Sequence, residues 1–226
     1  MTLTTAYVAL GAGVTVWAVL VSRLTAKPWL TKGATGARHE GGPTELPPAR
    51  IGLLAFLGVV TSLFGLFFAA YHMRMVEGIA LGDWRYFPVP SLLWANTAAL
   101  MLASAAMQWA RAAAERGDRN PLRGRLLAGG LLTLLFLAGQ LLAWREVSGT
   151  GYFAAANPAI AFFYLLTAVH GLHLVGGLVV WARTLRRLAL PGVKPLESQL
   201  TVGLCTVYWH YLLLVWLVLF GLLLST

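Results

Sequence analysis

Acid is scarce in this sequence and cysteine is nearly absent. Eight residues are Asp or Glu against seventeen Lys or Arg, and charged residues make up 11% of the chain, where soluble domains average about a quarter. That deficit excludes an ordinary soluble domain. The one cysteine, Cys205, excludes an intrachain disulfide framework and a multi-cysteine metal site. No phosphate-binding glycine loop, nucleophile–base arrangement or Cys/His metal motif occurs either. Nor is there an internal repeat of fixed period, the usual mark of an inverted-repeat transporter.

What the chain has is apolar length. Of its 226 residues 58% are hydrophobic, and a membrane-spanning helix needs about 20 in a row. Six stretches qualify: roughly 3–22, 51–73, 91–110, 126–144, 157–182 and 197–224. Backbone polar groups in lipid must be satisfied within each segment, so the fold class is an all-α integral membrane protein with about six transmembrane helices. The chain divides into an N-terminal transmembrane helix over 1–24, a polar linker over 25–50 rich in Pro and Gly, and a five-helix bundle over 51–226. The first segment has no basic residue ahead of it and its positive charges follow it, which reads as a retained helix and not a cleaved signal.

The net charge of +9 does not point to nucleic acid, because its distribution tracks the spans. Fourteen of the seventeen basic residues fall in alternate loops: Arg23, Lys27, Lys32, Arg38 and Arg50; Arg111, Arg116, Arg119, Arg123 and Arg125; Arg183, Arg186, Arg187 and Lys194. The positive-inside rule makes 25–50, 111–125 and 183–196 cytoplasmic and puts both termini on the outer side. Trp144 and Trp181 stand near span ends, as interfacial belt residues do. Gly171, Gly176 and Gly177 would allow close helix approach.

Ionisable residues inside spans are functional candidates. His170 and His173 are three apart and share a helix face. His210 falls at a similar depth in the last span, and His72 at the outer end of the second. Imidazoles from two helices at one depth could clamp a haem or a metal, or could join helices by hydrogen bonds; spacing alone leaves both open. Asn96, Thr97, Gln140, Tyr164, Tyr208 and Tyr211 are further interhelical hydrogen-bonding candidates. All eight acids map to loops or the edges of spans, which argues against a chain that moves protons or cations by itself. The residues alone read as a non-catalytic membrane module.

The order of motifs carries a family resemblance. RIGLLAFLGVVTSLFGLFFAAY from Arg50 is similar to the first conserved helix of subunit III of haem–copper respiratory oxidases. The proline-led LLWANTAALMLASAAMQWA with Asn96 and Thr97, the loop Gly117-Asp118-Arg119, and LFLAGQLLAWREV with Gln140 follow. FFYLLTAVHGLHLVGG resembles the family's HGxHV signature, with His170, Gly171 and His173 in register, and Tyr208-Trp209-His210-Tyr211 before Val215-Trp216 resembles its YWHF…VW motif. The resemblance covers residues 50–224 in collinear order. Longer members have two helices before the conserved five and compact bacterial members have none, so one helix plus a linker is intermediate.

The resemblance implies a cofactor-free, non-catalytic subunit of an oxygen-reducing terminal oxidase of aerobic respiration, in a bacterial inner membrane. The haems and copper would belong to partner subunits I and II. This chain would pack on subunit I, bind phospholipid and stabilise the complex. A homologous subunit of a nitric oxide reductase or another membrane oxidoreductase is the alternative. The resemblance also implies departures: Val60, Ala143, Gly203 and Leu213 stand where the family carries intramembrane acids, so an acid-dependent proton role does not carry over. Asn96, Gln140, His170, His173, Tyr208 and His210 are expected to form a structural polar network between helices.

Overall fold

The computed structural model describes residues 47–85, 89–149, 157–189 and 195–225, all within one compact unit. The expected N-terminal helix and most of the linker lie outside the described residues. Every regular element described is an α-helix: α1 Pro48–Leu81, α2 Leu92–Arg116, α3 Arg119–Gly149, α4 Pro158–Ala189 and α5 Pro195–Leu224. Proline opens α1, α4 and α5, a position where its missing N–H costs nothing because first-turn donors have no helical partner.

The helices run well past the apolar stretches. α1 continues through Arg74 and Glu77, and α2 through Arg111, Glu115 and Arg116. α3 starts at Arg119, and α4 carries Arg183, Arg186 and Arg187. The expected basic loop 111–125 is therefore almost entirely helix, joined by Gly117 and Asp118 alone. Long Arg side chains are good helix formers and reach the interface by snorkelling, so charge by itself does not end a membrane helix. What ends α2 is Gly117 at φ +79°. Its N–H donates to the Ala114 carbonyl at 3.1 Å while Asp118 N–H donates to Ala113 at 3.0 Å. An L side chain is strained in that left-handed conformation.

α1, α3, α4 and α5 are long and apolar enough to cross a membrane, which makes this a multi-pass membrane protein. α2 is richer in small and polar residues, and its surroundings explain why. Half of it is alanine or hydroxyl-bearing, and twelve of its residues, from Leu93 to Ala114, are buried. A helix enclosed by protein needs small side chains for close approach more than it needs lipid solubility.

α2, α3, α4 and α5 form a closed ring, each touching its sequence neighbours, with α5 returning to α2. α1 stands outside, touching only α4 and α5 among these helices. Only 11% of its most apolar stretch is buried, against 44% for α3 and α5. The ring's core holds Leu93, Leu100, Met107, Phe136, Trp209 and Trp216. A second cluster of Val60, Phe64, Tyr71, Leu166 and Leu219 joins α1 to α4 and α5. At the end of the bundle opposite Gly117, Arg74 pairs with Asp83 and Trp84 meets Tyr71 edge-on at 5.2 Å. Asn157 ties the α1–α2 connection to the start of α4: its Nδ2 donates to Arg85 O at 2.7 Å, while its Oδ1 accepts from Ala159 N–H at 3.1 Å.

Candidate functional site: the polar interior

Four of the hydrogen bonds that cross between helices are donated by tryptophan. Trp216 Nε1 on α5 donates to Thr97 Oγ1 on α2 at 2.9 Å, and that hydroxyl donates to Leu93 O. Trp209 Nε1 donates to Thr133 on α3 at 2.9 Å, and Thr133 to Gly129 O. Trp144 Nε1 on α3 donates to Thr167 on α4 at 3.0 Å, and Thr167 to Phe163 O. Each threonine thus accepts one bond across helices and donates one to its own helix, so both groups are satisfied without water. Trp181 adds a direct bond from its Nε1 to Leu126 O at 2.8 Å. Trp144 and Trp181 therefore act inward and are not simple belt residues. The tryptophan–threonine pairing was not read from the sequence. Trp216 and Thr97 are 119 residues apart, and no local periodicity connects them.

The six expected network residues fall in three places. His210 lies on the outer surface between α5 and α2, where its Nδ1 hydrogen-bonds Ser104 and its Nε2 lies 3.2 Å from Gln108 Oε1. An amide oxygen only accepts, so in this arrangement Nε2 carries the proton and Nδ1 accepts from the Ser104 hydroxyl. His173 sits against α1, its ring 5.6 Å from that of Phe64, with Nδ1 donating to its own Val169 O at 2.8 Å. Tyr208 reaches the same turn, its hydroxyl donating to His173 O at 2.9 Å. Asn96, Gln140 and His170 are buried in the ring. His170 packs between Phe136 and Trp216, with ring centroids at 5.9 and 5.3 Å. No direct hydrogen bond joins His170, His173 and His210 to one another.

These surroundings do not fit a haem or metal clamp. Both His210 nitrogens are engaged by α2 side chains, aromatic rings close on His170 from two sides, and His173 faces a different seam. Among the described residues no three His, Cys, Asp or Glu side chains converge.

Val60, Ala143, Gly203 and Leu213, where the resemblance implies substituted acids, occupy different surroundings. Val60 belongs to the α1 cluster and Ala143 to the ring core. Leu213 borders that core, while a Cβ added at Gly203 would meet nothing within 4 Å. Of the three α4 glycines, only Gly177 is closely approached, a Cβ there lying 2.7 Å from Tyr208 Cε1. Tight contacts that the sequence did not reveal include those on α3, where a Cβ at Gly139 would overlap Asn96 Oδ1, one at Gly130 would overlap the Trp181 ring and one at Gly129 would lie 2.8 Å from Met107 Cε.

Fold and site together define a multi-pass helical membrane protein whose interior polar side chains join helices. The family model described as "Cytochrome c oxidase subunit III" matches residues 14–224. The chain is 30% identical over 173 residues to "Probable cytochrome c oxidase subunit 3" of Mycobacterium tuberculosis, covering 75% of this chain and 84% of that one. It is 28% identical over 185 residues to "Cytochrome c oxidase subunit 3" of Thermostichus vulcanus, covering 79% and 88%. This chain belongs to the cytochrome c oxidase subunit III family. The match begins at residue 14, well upstream of the motifs that start at Arg50.

Proposed function

We propose that this chain is a non-catalytic subunit of a membrane-bound haem–copper oxidase that reduces oxygen, held against the haem-bearing subunit I and stabilising the complex. The observation that carries the docking part is the exposed polar patch of His210 with Gln108, backed by the buried Ser104, near mid-length of α5 and α2. Imidazole and amide groups at that depth are costly against hydrocarbon and characteristically face protein. The α2/α5 face is therefore the docking face, while outward residues of α1 such as Leu66, Met73 and Leu81 meet phospholipid chains. The arginine-rich end of the bundle faces the cytoplasm of a bacterial inner membrane, α2 spans with the others, and haems and copper reside in the partners.

The test is affinity purification through a tag on this chain. Replacing both groups, His210→Leu with Gln108→Leu, should lower recovery of the haem-bearing partner several-fold while leaving the haem spectrum of what is recovered unchanged. Wild-type recovery would remove the docking face from that patch. Haem on the chain purified free of its partners, lost in His210→Leu or His170→Leu, would mean that this chain holds haem itself, and would sink the assignment. Identification of the recovered partner also separates an oxygen reductase from a nitric oxide reductase.

A further inference from the structure

At the arginine-rich end of the bundle the helices leave a cavity of about 450 Å³, part of it open to solvent. Arg119, Leu122 and Arg123 of α3 form one wall, with Leu188 of α4 and Pro195 and Ser198 of α5 around it. Arg119 and Arg123 are four apart, so α3 presents both guanidinium groups from one face.

The hydrogen-bonding groups at this cavity are unequal. Its carbonyl acceptors are engaged. Leu188 O accepts from Arg123 Nη2, and Pro195 O accepts from the Ser198 hydroxyl at 2.7 Å. Ala114 O accepts from Gly117 N–H at 3.1 Å and from Gln199 Nε2 at 3.4 Å. Donors are in surplus, because a guanidinium carries five N–H groups and Arg123 makes its bond to Leu188 O through one of them. Carboxylates near the cavity do not line it. Asp118 is bonded to Arg116 at 3.3 Å, Glu115 to Arg111 at 2.9 Å, and Glu197 stands exposed in the first turn of α5.

The lining thus holds two guanidinium groups and no acid, beside the apolar surfaces of Leu122, Leu188 and Pro195. A metal cation would be repelled there, and an apolar guest would leave the guanidinium donors without acceptors. A phosphate suits the site, since its oxygens match the forked geometry of arginine. Basic pockets between membrane helices are also where anionic lipid headgroups are held. We propose that this cavity is a phosphate-binding site, in which Arg119 and Arg123 hold the phosphate of an anionic phospholipid or of a soluble ion. It requires neither the His210 patch nor an oxidase partner.

The test uses the full-length chain, purified in detergent and stripped of lipid. Native mass spectrometry counts bound phosphatidylglycerol, and equilibrium dialysis against radiolabelled inorganic phosphate measures the soluble ion. At least one probe should bind saturably at one per chain, and Arg119→Gln with Arg123→Gln should weaken it about tenfold or more. Arg183→Gln with Arg186→Gln removes the same charge from the same end outside the cavity, and should change binding by less than about twofold. Ser198→Asp adds a carboxylate to the lining and removes no arginine; it should also weaken binding. Aspartate is favourable in the first turn of a helix, so that variant keeps the test valid if the arginine variant misfolds. Arginine-dependent binding of phosphatidylglycerol alone makes the occupant a lipid, and binding of inorganic phosphate with the same dependence makes it a soluble phosphate. Saturable binding of neither probe would overturn the proposal. So would equal losses from the two arginine pairs, which would show only general surface charge.

Discussion

At the scale of single residues, three indole N–H groups donate to threonine hydroxyls across helices. In Trp209–Thr133 both partners are fully buried, and the bond is 2.9 Å long. Thr133→Val keeps the shape and removes the acceptor, leaving an indole N–H with nothing to bond. Such a loss should cost about 1–3 kcal/mol, read as a lower unfolding midpoint of the purified chain in detergent. An unchanged midpoint would show that the pair contributes shape and not hydrogen bonding. The sequence made the histidines look like the connecting groups because an ionisable residue in a span stands out. A tryptophan in an apolar run does not, since its ring satisfies the hydrophobic pattern and conceals the donor. The family signature around Trp209 and Trp216 was legible, but not the hydroxyls they would find.

Among whole elements, the decisive feature is which glycines lie at a seam. α3 meets α2 closely at Gly139, where a methyl group would overlap Asn96, whereas Gly203 on α5 has open space around it. Gly139→Ala should therefore destabilise the chain by about 1–3 kcal/mol through overpacking. Gly203→Ala should leave stability unchanged or raise it by up to about 1 kcal/mol through helix propensity. Thermal unfolding of the two variants side by side checks this, and equal effects would contradict the packing of α2 on α3. The positions of the five helices were legible from apolar runs, but their ends were not. Charged residues were read as loop, yet Arg111 and Arg125 are helical because an arginine stem continues a helix while its head reaches water. α2 misleads in the opposite direction, its alanines and hydroxyls lowering its hydropathy for the same reason that they let it pack.

For the molecule as a whole, charge is segregated along the bundle axis. The C-terminal ends of α2 and α4 and the start of α3 share one end with Arg111, Arg116, Arg119, Arg123, Arg125, Arg183, Arg186 and Arg187. Arg123 and Arg125 bond carbonyls of Leu188 and Trp109 there, which draws the three helices together. Arg74, Arg85 and Arg145 occupy the other end with Glu77, Asp83 and Glu146. In a Cys205→Ser background, a cysteine at exposed Ser148 should react with a membrane-impermeant maleimide added to intact cells. One at exposed Arg116 should react only after permeabilisation. Labelling of both from the same side would refute the assigned orientation.

The amino-acid sequence by itself determined that the chain is helical and membrane-embedded, roughly where the five described helices lie and to which family it belongs. Those properties depend on the length of apolar runs and on collinear motifs, which are local in the chain. Only the tertiary structure decided that Val60, Ala143, Gly203 and Leu213 lie in different surroundings, and that the six candidate polar residues divide among the outer α2/α5 face, the α1 seam and the ring interior. Side-chain meetings across helices depend on register and rotation, and a shift of one residue turns a helix face by about 100°. That information is absent from any single span and arises only when the spans pack.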